Sequence, residues 1–106
     1  MAFSIKQNDT SPTLRANIQD YEGTNIDITG ASVRLHIKEV GGSTLVIKDM
    51  TILDQETGLV QYDWVTGDTS QAGNFNAELQ VTYADGEIET YPNNGYFTIT
   101  VTAELA

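Results

Sequence analysis

Read as apolar and polar positions, the chain is dominated by alternation with a period of two. The clearest run lies between Asn74 and Tyr83, where Phe75, Ala77, Leu79, Val81 and Tyr83 alternate with polar residues. That pattern predicts a strand with one buried and one wet face. Asp85-Gly86 follows and predicts a two-residue type I′ turn, making Ala72 to Thr90 a hairpin around which the other strands pack. This loop length sets Tyr83 opposite Ile88, Thr82 opposite Glu89 and Gln80 opposite Tyr91. Ile88 then joins the inward row, while Glu87 and Glu89 face water.

The rest of the chain repeats the theme. Phe3 and Ile5 mark a short edge strand that ends in the turn-rich Asn8 to Pro12, and Leu14, Ala16 and Ile18 mark a second strand. A third has Val33, Leu35 and Ile37 inward and Ser32, Arg34, His36 and Lys38 outward. Gly41-Gly42-Ser43 turns the chain into a fourth, with Leu45 and Ile47 inward and Met50 to Leu53 as an irregular continuation. Val60, Tyr62 and Trp64 form the inward row of a fifth strand, Trp64 being the largest expected contributor to the core. The segment from Thr66 to Gly73 offers Asp68, Thr69 and Ser70 as caps for its own amides. Pro92 to Gly95 separates the hairpin from a last strand with Phe97, Ile99 and Val101 inward. These runs amount to seven or eight strands at a spacing of roughly ten residues, with no sustained helical period. They fit one domain over residues 1–106.

Charge and composition narrow the partners. Fifteen acids against five bases give a net charge of −10, which disfavours nucleic acid and anionic membranes. No apolar run reaches membrane-spanning length. The absence of cysteine removes disulfides, thiolate metal sites and cysteine nucleophiles. His36, on an outward row, is the sole histidine, so no Ser/His/Asp triad assembles readily. A carboxylate pair drawn from Asp63, Asp68, Glu87 and Glu89 would need a cleft, one desolvated acid and a set separation to hydrolyse a glycoside. Calcium through Asp54, Glu56 or Asp68 lacks the spacing of a helix-loop-helix calcium loop. The sequence therefore predicts no enzyme and no cofactor.

A local motif specifies the sandwich. In immunoglobulin-like domains the strand entering the central hairpin carries an aromatic residue two positions before a core-filling one, after a turn containing Asp. Asp68 through Ala77 has that arrangement, with Phe75 and Ala77 at those positions, although Phe75 lacks the hydroxyl for a corner hydrogen bond. The expected fold is all-β, an immunoglobulin-like antiparallel β-sandwich.

Further segments point to a family. Thr29-Gly30-Ala31-Ser32-Val33, Gly58-Leu59-Val60-Gln61-Tyr62-Asp63-Trp64, Gly67-Asp68-Thr69, Ala72 to Glu78, Val81 to Gly86 and Tyr91-Pro92-Asn93 occur in order along nearly the whole chain. Together they resemble the immunoglobulin-like N-terminal domain of the upper baseplate protein (BppU) of phages infecting Gram-positive bacteria. The resemblance implies a virion component, assembled in the host cytoplasm, that docks on other phage structural proteins and has no catalytic residues. That family's domain normally continues into a linker and further parts, whereas this sequence stops at Ala106. Capsid decoration, head-tail joining and carbohydrate binding are the alternative roles. Tyr21, Tyr91 and Tyr96 fall outside the inward rows and are the expected interface anchors. The lightly charged edge from Phe3 to Lys6 is a further candidate for strand addition or self-association.

Overall fold

The computed structural model describes residues 2–92 and 95–105. Among them are nine strands and no helix: β1 (Ala2–Lys6), β2 (Leu14–Asn17), β3 (Ser32–Glu39), β4 (Leu45–Asp49), β5 (Thr51–Asp54), β6 (Leu59–Tyr62), β7 (Gly73–Thr82), β8 (Ile88–Tyr91) and β9 (Phe97–Thr102). The larger sheet runs β1-β9-β7-β3-β4, with β8 also paired to β7, and the smaller runs β2-β6-β5. β8 and β9 pair in succession with β7, opposite Leu79–Thr82 and Gly73–Ala77 respectively. Asn93 and Asn94 of the connection between them lie outside the described residues.

The core lies between the two sheets and is supplied by the alternating rows. Val33 and Leu35 of β3, Ala77, Leu79 and Val81 of β7, and Phe97, Ile99 and Val101 of β9 face Leu14, Ala16, Val60 and Tyr62 of the smaller sheet, all buried. Their burial removes apolar surface from water at about 25 cal/mol per Å², the main term favouring this fold. Trp64 is buried just beyond the end of β6. The chain crosses between sheets at Met50, whose amide still bonds to Val33 O at 3.0 Å before Thr51 pairs with Gln61. Residues 51–54 therefore form a strand of the other sheet rather than a continuation of β4.

Three further sequence expectations change. The hairpin loop has three residues, not two: Tyr83 N bonds to Glu87 O at 2.8 Å and Gly86 N to Tyr83 O at 2.9 Å. Gly86 takes a left-handed φ of +90°, and Asp85 Oδ1 accepts the Glu87 amide at 2.9 Å. These are the features of a turn closed by a glycine bulge. Thr82 consequently pairs with Ile88, Val81 with Glu89 and Leu79 with Tyr91. A one-residue slip exchanges the faces of the whole return arm: Ile88 is 61% exposed and Tyr91 is buried.

The fourth strand also faces the other way. Val46 pairs with Ile37 and Lys48 with Leu35, so those two point toward the smaller sheet, whereas Leu45 and Ile47 share the outer face with Lys38 and His36. Finally, β1 runs parallel to β9, pairing Phe3 with Ile99 and Ile5 with Val101, so the larger sheet is mixed.

Candidate docking surface

Three strands do not cover the inner face of the larger sheet, and the segment after β6 passes over the remainder. Asp68 organises that segment. Its Oδ2 accepts the Val65 amide at 2.9 Å and the Tyr62 hydroxyl at 2.5 Å, while Oδ1 lies 3.2 Å from Lys48 Nζ on β4. Thr69 is buried and donates its hydroxyl to Asp9 O at 2.7 Å, so the segment is tied to the loop after β1 as well. Gln71 Nε2 donates to Glu39 Oε2 at 2.9 Å. Beneath these polar clasps lies a cleft of about 320 Å³, with Ile37, Val46, Trp64, Phe75 and Ile99 among its walls. The fold thus leaves an apolar groove bridged by Lys48–Asp68 and Glu39–Gln71.

Burial pushes the Asp68 carboxyl up, but hydrogen bonds from Tyr62, the Val65 amide and Lys48, with the Lys48 charge, outweigh it and hold it below the ordinary aspartate value. The Tyr62 phenol is held above its ordinary value by burial first and the Asp68 bond second. Because the Asp68 carboxyl is depressed in the folded state, its contribution to stability is present above the unfolded value near pH 3.9 and is lost as pH falls through the lower folded one. Asp68→Asn is therefore expected to flatten the acid limb of stability against pH below about pH 4. Urea midpoints measured across that range test this, and parallel limbs for the two proteins would contradict it.

Other ionisable groups are held in local structure. Asp54 Oδ1 accepts the amides of Glu56 and Thr57, closing the turn before β6. No group of three or more His, Asp or Glu side chains suited to holding a metal occurs among the described residues. His36 lies opposite Glu78 on the outer face. The slipped hairpin brings Glu89 to the inner face, where its Oε1 accepts the Tyr91 hydroxyl at 2.6 Å and the Tyr83 hydroxyl at 3.1 Å.

The three sequence-predicted tyrosines do not form one patch. Tyr21 is 88% and Tyr96 63% exposed, but Tyr91 is 4% exposed and belongs to the core. The expectation of an outward Tyr91 followed from the two-residue turn and falls with it. Tyr96 lines a shallow depression on the outer face with His36, Lys38, Leu45, Asn76 and Glu78. Beside it, Leu45, Val46 and Ile47 of β4 are each 41–51% exposed. The parity reading placed Leu45 and Ile47 inside and so missed this surface. The available signal was the run of three consecutive apolar residues, which has no unique inner face.

Two packed sheets, a return edge split into β8 and β9, and a corner segment leading into the central strand define an immunoglobulin-like β-sandwich. The chain belongs to the BppU N-terminal domain family, whose model matches residues 2–105. It is on that ground a structural component of a phage baseplate, a part of the virion that contacts other phage structural proteins. Among solved structures it is similar to CopC from Methylosinus trichosporium OB3b, with a TM-score of 0.57, 14% identity, and coverage of 99% of this chain and 87% of that chain. At such identity the likeness is one of fold alone. No curated protein matches the sequence.

Proposed function

We propose that the domain is a non-enzymatic docking module that holds neighbouring baseplate proteins through its surface. Membership of the BppU N-terminal domain family over residues 2–105 carries this reading. The side chains support it: Tyr21 and Tyr96 stand exposed, and large rings with a polar tip are the favoured anchors of protein interfaces. In this reading Tyr96, beside the apolar edge of β4, contributes more than the isolated Tyr21.

The test is retention of purified baseplate proteins on the immobilised domain, alongside mass spectrometry of purified particles. The protein is expected in the particles. Tyr96→Ala is expected to weaken capture by at least tenfold, about 1.4 kcal/mol or more, since central aromatic anchors cost upward of 1 kcal/mol when truncated. Absence from particles, or binding to a glycan array without capture of any baseplate protein, would replace docking by an adhesive role.

A further inference from the structure

β4 is the outer strand of the larger sheet. It pairs with β3 on one side, and among the described residues no backbone bond reaches Leu45–Asp49 from the other. Unpaired edges are ordinarily short, charged or covered, because they offer a template to another strand. Here the middle of the edge is Leu45-Val46-Ile47, exposed by 51%, 41% and 48%. We propose that two copies of the domain join edge to edge, β4 against β4, antiparallel about a two-fold axis at Val46.

Register supports a second copy over an unrelated strand. Residues directly opposite one another share a face of the sheet. Pairing about Val46 sets Leu45 against the other copy's Ile47 on the outer face, where the fold already places both. Val46 meets its counterpart on the inner face, at the wall of the cleft. All three central positions thus match apolar with apolar, and Thr44 falls opposite Lys48. A pairing centred on Ile47 would instead oppose Leu45 to Asp49 and Val46 to Lys48.

Charge points the same way. The whole chain carries −10, yet strands β3 and β4 carry three cations, Arg34, Lys38 and Lys48, against two anions, Glu39 and Asp49. Two copies that meet here bring together strands that do not share the net negative charge of the whole chain. The remaining repulsion acts at longer range and is screened beyond about 8 Å at physiological salt. Added salt is therefore expected to strengthen the pair, the opposite of its effect on an association driven by opposite charges. One strand pair is a small interface, so the association is weak in solution and is favoured where particle assembly concentrates the copies.

Sedimentation equilibrium at concentrations up to about 1 mM, the range that resolves a weak pair of about −4 kcal/mol, tests the proposal. The average mass is expected to rise from 11.6 kDa toward twice that value, and more readily at higher salt. Leu45→Lys and Ile47→Lys, both at half-exposed positions, are each expected to weaken association at least tenfold while keeping the wild-type thermal transition. Ile88→Lys, at an exposed position on β8, is expected to leave it unchanged. A wild-type protein that stays monomeric throughout overturns the proposal, as does equal loss in the Ile88 variant. Capture of baseplate proteins is read separately: a monomer that still captures them refutes self-pairing alone. Loss of that capture in Ile47→Lys of a monomeric protein would assign the edge to a different strand.

Discussion

Trp64→Ala is expected to destabilise the domain by about 3–5 kcal/mol, the range for emptying a buried tryptophan site. Against a total stability of about 5–15 kcal/mol for a domain of this kind, that loss leaves a substantial unfolded fraction under mild denaturant. The structural reason is that Trp64 is 7% exposed and joins separate parts of the sandwich. Its ring stacks on Phe3 of β1 at 5.8 Å and meets Tyr62 of β6 edge to face at 5.1 Å. It also walls the cleft beneath the Asp68 segment. Removing it loosens the edge strand of one sheet, the end of a strand in the other and the segment between them. The Nε1 of Trp64 is buried with no hydrogen-bond partner among the described residues. Trp64→Phe should therefore cost much less, since it keeps a ring against Phe3 and removes a donor that contributes no bond. The measurement is the urea midpoint of both variants at unchanged slope. A Phe variant as unstable as the Ala variant would mean that the full breadth of the indole, which a phenyl ring does not fill, holds the site.

The same residue shows which parts of the fold the sequence discloses. Trp64, Tyr62 and Val60 alternate with polar neighbours, as do the rows of β3, β7 and β9, and those rows face the core where parity places them, buried except for the partly buried Ile37, Phe75 and Tyr83. Period-two alternation states a facing directly because successive strand side chains must point to opposite sides. It fails where that condition gives no answer. Leu45-Val46-Ile47 is apolar at both parities, and its facing is set by pairing with β3, which composition does not reveal. The hairpin slipped for a related reason. Asp85-Gly86 suits either a two-residue loop or the last two positions of a three-residue loop, and the Tyr83–Glu87 pairing selects the second. Tyr91 moved from the expected surface to the core as a result. The exposure of two of the three tyrosines was legible: Tyr21 and Tyr96 lie at the surface as their positions suggest. The cleft was not, since Lys48 and Asp68 lie in different elements and only the β4 register brings them to 3.2 Å.

Gly58→Ala is expected to be the most damaging of the glycine substitutions, and the reason lies in backbone rather than side-chain packing. Gly58 closes the turn between β5 and β6 with a φ of +72°. Its carbonyl accepts the Ile18 amide at 2.9 Å, and Ile18 O in turn accepts the Ile26 amide at 2.9 Å. Three chain segments therefore cross at one point, next to the buried side chains of Ile18 and Ile28. A Cβ on Gly58 would stand 2.6 Å from Ile26 O and 3.0 Å from Ile18 O. Both are backbone atoms held in that hydrogen-bonded crossing, so relief requires moving the backbone. The left-handed conformation alone costs a non-glycine residue about 1–2 kcal/mol. Displacing packed backbone adds about 1–3 kcal/mol, the usual penalty for overfilling. Gly41→Ala separates the two terms, because Gly41 has a φ of +80° but nothing within 4 Å of the added Cβ. It should show the conformational cost alone, about 1–2 kcal/mol. The larger loss in the Gly58 variant should be accompanied by faster hydrogen exchange at the Ile18 and Ile26 amides, whose bonds the added methyl displaces. Equal losses in the two variants, with those amides unchanged, would show that the crossing absorbs a methyl group and that left-handed strain alone explains the glycine.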